Sequence, residues 1–282
     1  MNAEIISGTE TAKKLLEKKL KPRVDKLLEQ KIYPKLVVIL VGEHAASASY
    51  VRQKEKFAEK ANIKSEIWRY PDTVNEQKIL SEISRINEDK TIHGVIVQLP
   101  LPEHISVEKI LKAIDPKKDV DGFTPENIGN LFLGKPCLPC CTPRGVITML
   151  KENGENLEGK NVVVIGRSNI VGKPVAIMAL NENATVKILH SKSRDLTRKM
   201  QHADIIIVAV GKPEFLHGDQ IPKNCTIIDV GIHRTDEGKL VGDVHANSAM
   251  KKARKISPVP GGVGPMTVYS LIENTVTAAE SQ

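Results

Sequence analysis

Residues 162–176 read VVVIGRSNIVGKPVA. A β-branched run stops at Gly166, and Gly172 opens a segment with helical patterning. A buried parallel strand that ends in a glycine turn and enters a helix offers backbone N–H groups to an anion, which is how α/β proteins hold phosphate. The usual dinucleotide turn is G-x-G-x-x-G. Here only Gly166 and Gly172 remain, and Arg167 and Ser168 stand where small residues are the rule. An arginine in that turn asks for a ligand with an additional negative group.

The next strand identifies that group. A dinucleotide fold places an Asp or Glu about 20 residues after the first turn, where it accepts hydrogen bonds from the adenosine ribose and selects NAD. In this chain the second strand, ATVKILH, ends in His190-Ser191-Lys192-Ser193-Arg194, with no acid before Asp195. A ribose 2′-phosphate would meet Arg167, Ser168 and Ser191 through charge-assisted hydrogen bonds, so the pattern points to NADP.

Working outward, continuous apolar runs recur at 35–42, 93–100, 161–166, 184–190, 203–211 and 226–232, and they do not alternate, as expected of parallel strands buried on both faces. Helical patterns lie between them near 9–30, 46–61, 75–89, 172–182, 246–253 and 266–280. The reading is an α/β protein of two lobes with mainly parallel sheets, the second Rossmann-like, with the site in a cleft between them. The expected division is a first domain over 1–120, to which the C-terminal helix 266–282 returns, a Gly- and Pro-rich linker over 121–145, and a nucleotide domain over 146–265.

Composition bounds the function. The chain has 282 residues, 27% of them charged and 40% hydrophobic, as in a globular protein. No stretch approaches the roughly 18 apolar residues of a membrane helix, and the amphipathic, acid-containing N-terminus resembles neither a signal nor a transit peptide. The net charge of +7 comes with only 3% aromatic residues and with Lys and Arg scattered among acids, which argues against nucleic acid and suits small polyanions. Cys137, Cys140, Cys141 and Cys225 fit a reducing cytoplasm, and Cys137-Leu-Pro-Cys140 lacks the second pair a zinc site needs, so no metal is expected.

The first lobe carries other chemistry. Tyr50 and Lys54 share a helix face just after the strand KLVVILVG, and Gln98 closes the strand HGVIVQ ahead of Leu-Pro-Leu-Pro. Asp121 sits in the turn of DVDGF. Near the C-terminus, VPGGVGPMT leads into a helix through a glycine-rich loop able to approach a flat ligand. Singly, each is ordinary: a solvated lysine, an edge glutamine, an Asp-Gly turn, a helix start.

Taken in order, YVRQK, QLPLP, KDVDGF, CTPRG, GRSNIVGKP, DVGI and PGGVGPMT resemble the motifs of the bifunctional 5,10-methylenetetrahydrofolate dehydrogenase/methenyltetrahydrofolate cyclohydrolase family over nearly the whole chain. The resemblance implies oxidation of methylenetetrahydrofolate with NADP, then hydration of the methenyl cation to 10-formyltetrahydrofolate, within cytoplasmic one-carbon metabolism feeding purine biosynthesis, in a homodimer. Motif by motif, it implies Lys54 as general acid/base, Gln98 orienting it, Tyr50 packing on the folate and Asp121 holding the pterin, with Gly261 and Gly262 beside the substrate. It implies Gly166, Arg167, Ser168, Ser191, Ile232 and Thr267 as the NADP contacts. Ala45 and Cys140 depart from prolines common in the family. The chemistry suits these roles: the pterin's two-donor edge pairs with one carboxylate, hydride transfer needs positioning alone, and hydration needs a lysine able to give up its proton. A monofunctional dehydrogenase would have no use for Lys54, and a non-enzymatic nucleotide-binding protein would leave Tyr50, Lys54, Gln98 and Asp121 as surface.

Overall fold

The computed structural model describes residues 3–42 and 45–282, the side chains of 45–50 excepted. Its strands are β1 (Glu4–Ile5), β2 (Lys35–Val41), β3 (Lys64–Tyr70), β4 (Gly94–Val97), β5 (Asn161–Ile165), β6 (Thr185–Leu189), β7 (Ile205–Val208), β8 (Thr226–Asp229), β9 (His233–Arg234), β10 (Leu240–Val241) and β11 (Lys255–Ile256). The chain forms two compact units, Lys14–Cys141 with Val268–Gln282, and Met1–Lys13 with Thr142–Thr267.

The first of these units holds a parallel sheet of order β3-β2-β4. Strand β2 is central and buried because both faces of KLVVILV are apolar. Helix Glu76–Glu88 follows from Ile79, Ile83 and Ile86, spaced along one face and packed on Val37, Ile39, Val95 and Val97. Its first turn is capped by Asn75, whose side chain accepts from the Lys78 N–H at 2.8 Å. Strand β3 was not expected. KSEIWRY is an edge strand with one face in solvent, so its polar alternation lacks the apolar continuity that marks its neighbours.

The second unit is a six-stranded sheet of order β1-β11-β8-β7-β5-β6, parallel throughout. From β5 the chain steps to β6 on one side and then to β7 on the other. This doubly wound sheet therefore reverses direction at β5, and such switch points open a crevice at the carboxyl ends of the strands. Strands β9 and β10 form a small antiparallel ribbon.

The units depart from the expected boundaries in two places. Residues 1–13 belong with the nucleotide-type unit, because β1 pairs in parallel with β11. The segment read as linker is structured: Thr124 caps helix Pro125–Phe132, and helix Cys141–Glu152 begins at the unit boundary. The C-terminal residues Val268–Gln282 return to the first unit. Among the described residues no helix is long and apolar enough to cross a membrane, and no cluster of His, Cys, Asp and Glu is disposed to hold a metal ion.

Candidate functional site

In the unit of Lys14–Cys141 and Val268–Gln282, the polar groups gather at the carboxyl edge of the three-stranded sheet. Helix Ala45–Lys60 leaves the end of β2 and carries Lys54, only 9% exposed, whereas Lys56 and Lys60 face solvent. Gln98 follows β4, and its N–H extends the ladder to the Ile39 carbonyl at 2.9 Å. The Lys54 ammonium donates to Gln98 Oε1 at 2.9 Å, while Gln98 Nε2 donates to the Leu99 carbonyl at 2.9 Å. The second bond fixes which amide atom faces the lysine, so Gln98 presents its oxygen.

Asp121 completes the group. Burial raises its carboxyl above the usual range, the Lys54 charge pulls it back, Asp119 pushes it further up, and the Cys141 thiol lowers it by hydrogen bonding. Its turn is tightly held. Asp119, buried and bridged to Val95 beside β4, accepts from the Gly122 and Thr124 N–H groups at 2.9 and 2.7 Å and from Asn127 Nδ2 at 3.0 Å. The Cys140 and Cys141 thiols donate to the Gly122 and Val120 carbonyls, both at 3.0 Å, and Asn274 Nδ2 donates to the Val120 carbonyl at 2.8 Å. Gly122 has φ +74, and a Cβ there would come within 2.6 Å of the backbone of Pro139 and Cys140. Cys140 thus grips the turn that carries Asp121. The side chains of Ala45 and Tyr50 lie outside the described residues.

In the other unit Gly166, Arg167, Ser168, Ser191 and Ile232, expected to contact NADP, follow the carboxyl ends of strands of the six-stranded sheet. Ile165 and Leu189 are paired across β5 and β6, so Arg167 and Ser191 leave adjacent strands at the same level, both exposed. Gly166, at φ +133, donates to the Leu189 carbonyl at 2.8 Å, and a Cβ on it would run into the Ala209 carbonyl. Only glycine permits this crossing of three strand ends. Ser168 Oγ accepts from the Val171 and Gly172 N–H groups at 3.2 and 3.3 Å, so it also shapes the start of helix Gly172–Asn181. Ile232 lies past β8 and is 45% exposed. The Thr267 hydroxyl is 3.1 Å from that of Thr142 and bonds the Val263 carbonyl. In the glycine loop, the Gly261 carbonyl accepts from the Thr9 N–H at 3.0 Å, and Gly262 has no room for a Cβ beside the Pro258 carbonyl. These glycines serve close backbone packing on the start of the chain.

Residue reading overlooked Asp119, Asn274, Asp229, Asp243 and His233. A signal existed for the first: two aspartates two apart before a glycine place one carboxylate inside the turn and one outside.

The cradle of Gly166 and Gly172, with exposed Arg167 and Ser191 beside it, fits a phosphorylated dinucleotide. Family models match two stretches: the tetrahydrofolate dehydrogenase/cyclohydrolase catalytic domain over residues 6–121 and the NAD(P)-binding domain of the same name over 140–282. The chain is 51% identical to the bifunctional protein FolD of Geotalea daltonii over 99% of both chains, and 50% identical to that of Listeria innocua over 98% of this chain and 97% of the other. Among solved structures, the bifunctional FolD of Campylobacter jejuni aligns with TM-score 0.96 at 44% identity over 99% of each chain. That of Trypanosoma brucei, complexed with NADP cofactor and an inhibitor, aligns with TM-score 0.94 at 36% identity over 100% of this chain and 98% of the other.

Proposed function

This chain belongs to the tetrahydrofolate dehydrogenase/cyclohydrolase family, and from that premise we infer that Lys54, Gln98 and Asp121 form the chemical centre of a two-step enzyme. The enzyme oxidises 5,10-methylenetetrahydrofolate with NADP and hydrolyses the methenyl product to 10-formyltetrahydrofolate. The observation that carries the residue assignment is the 2.9 Å bond from Lys54 to Gln98 Oε1, with Asp121 electrostatically coupled to the same lysine.

Asp121 accepts the two-donor edge of the pterin, a pairing that uses both carboxylate oxygens. Tyr50, four residues before Lys54 on the same helix, packs on the folate. Bound along the edge of the larger sheet, NADP would supply the acceptor for the hydride that the methylene carbon loses. Arg167 and Ser191 hold its 2′-phosphate with help from Ser168, and Gly166, Ile232 and Thr267 line its path; Gly261 and Gly262 lie on the substrate side. Water adds to the methenyl carbon as Lys54 takes its proton and passes one to nitrogen, and Gln98 keeps the amine aimed.

The same reading takes the chain as a cytoplasmic homodimer supplying one-carbon units for purine synthesis. The four cysteines are thiols, which supports a reducing compartment. The outer strand β6 leaves Ile188 38% exposed, and Leu180 of helix Gly172–Asn181 is 54% exposed, an apolar edge suited to a second copy.

The test is Lys54→Met, assayed for NADPH formed from methylenetetrahydrofolate and separately for methenyltetrahydrofolate hydrolysis. Hydrolysis falls by about 10²- to 10⁴-fold, the scale of acid–base catalysis, while NADPH formation remains measurable. Wild-type hydrolysis in this variant would remove the lysine from the mechanism.

A further inference from the structure

Two buried carboxylates in the six-stranded unit have no part in the chemistry above. Asp243 is fully buried, and Asp229, the last residue of β8, is 3% exposed. Asp243 Oδ2 accepts from the N–H groups of Val210 at 2.6 Å and Gly211 at 3.0 Å; Oδ1 accepts from Lys212 N–H at 3.0 Å and His233 Nε2 at 2.7 Å. Both oxygens are thereby fully used. Asp229 in turn accepts from the N–H groups of Gly231, Asp243 and Val244, each at 2.9 Å, and its own N–H donates to Ser257 Oγ at 2.8 Å. Burial lifts the Asp229 carboxyl to about 6 against these donors. A Cβ on Gly231 would run into the Asp243 carboxylate, and one on Gly242 into that of Asp229, so the loops close directly onto the charges.

Filling this volume with apolar side chains would avoid the desolvation cost of two carboxylates. What the carboxylates provide instead is direction. The turn held by Asp243 follows β7, whose neighbour β5 is the switch point of the sheet, and Ala209 at its start abuts Gly166 of the phosphate turn. Ile232 is bracketed on both sides, by Gly231 bonded to Asp229 and by His233 bonded to Asp243.

We propose that Asp243 and His233 are positioning residues for the cofactor, locking the Val210–Lys212 turn and the Ile232 loop into the single arrangement that NADP contacts at the carboxyl edge of the sheet. Neither touches the reacting atoms. The inference rests on the reading that this edge holds NADP, and it adds a specific prerequisite: binding depends on a carboxylate that is itself shielded from the ligand.

The experiment titrates NADP into wild type, Asp243→Asn, His233→Ala and His233→Gln by calorimetry, and measures methenyltetrahydrofolate hydrolysis, which consumes no NADP, in the same preparations. Asp243→Asn turns one acceptor oxygen into a donor facing N–H groups, and its NADP Kd rises at least tenfold. His233→Ala, which keeps the carboxylate and its backbone partners, raises Kd several-fold, and His233→Gln, which restores an N–H donor, recovers most of that loss. Hydrolysis stays within about twofold of wild type in all three. Should Asp243→Asn fail to fold, the histidine pair decides the matter. A wild-type Kd in His233→Ala overturns the proposal, as does a loss of hydrolysis parallel to the loss of NADP binding, which marks a general structural defect. A wild type that takes up no NADP would instead overturn the reading of the edge itself, and this inference with it.

Discussion

On the proposed reading, the choice of NADP over NAD rests on the single side chain of Arg167. It follows β5 level with Ser191, which follows β6, both exposed, in a place where a dinucleotide fold selective for NAD keeps a carboxylate within reach. A charge-assisted bond from arginine to the 2′-phosphate is worth about 1.5–3 kcal/mol, less where solvent screens it, and about 1.4 kcal/mol already means tenfold. Arg167→Ala therefore loses at least most of a tenfold preference for NADP over NAD, through a fall in kcat/KM for NADP with little change for NAD. Equal losses with both cofactors would show that the arginine shapes the turn without reading the phosphate. Lys54 makes the complementary point. Its sequence neighbours Lys56 and Lys60 are equally basic, yet only Lys54 is buried against Gln98. Helical spacing told which lysine shares a face with Tyr50; the partner, 44 residues away in the chain, came from the pairing of β4 with β2.

Among elements, the turn from Asp119 to Thr124 is held from several sides. The buried Asp119 carboxylate folds it, two thiols and Asn274 hold its carbonyls, and Gly122 passes against the backbone of Pro139 and Cys140 at positive φ. Gly122→Ala has to pay about 1–2 kcal/mol for the left-handed backbone, and more because the atoms it meets are backbone and cannot swing away. We expect a loss of at least about 2 kcal/mol in urea unfolding, together with weakened binding of a folate analogue as Asp121 is displaced. A variant as stable and as tight-binding as wild type would mean that the turn can relax without moving Asp121. The strands that the sequence revealed were those with continuous apolar runs, buried in β2, β4, β5, β7 and β8; β6, expected to be buried on both faces, is instead an outer strand with most of its residues exposed. Strand β3 escaped because an edge strand keeps polar residues on one side, and β1 and β11 because two-residue strands carry no periodicity.

At the scale of the whole molecule, His93 links stability to pH. It is 7% exposed, its Nδ1 accepts from the Lys35 N–H at 3.3 Å, and burial together with the Lys118 charge holds it below the ordinary imidazole value, with Asp89 opposing. A depressed folded value means that the unfolded chain binds the proton first. The contribution of neutral His93 is thus complete above about pH 6.5 and is lost as the pH falls toward the lower folded value, by about 1.4 kcal/mol for each pH unit between the two. Urea midpoints of wild type and His93→Gln at pH 8 and pH 5 check this: the advantage of wild type shrinks at the lower pH, and an unchanged gap would remove the histidine from the linkage. By itself the sequence determined the class of fold, the main strand ends and the glycine turn at Gly166, because each is written in short-range spacing that backbone geometry converts directly into a strand end, a helix face or a turn; the roles proposed for Lys54, Gln98, Asp121 and Arg167 rest on the resemblance of the motifs that carry them. Tertiary structure alone decided that the first 13 residues join the nucleotide-type unit, that Asn274 pins the Asp121 turn, and that Asp243 gathers Val210, Gly211, Lys212 and His233. These are pairings between distant parts of the chain, made by parallel strands laid side by side and by buried carboxylates that must find their donors wherever the fold brings them.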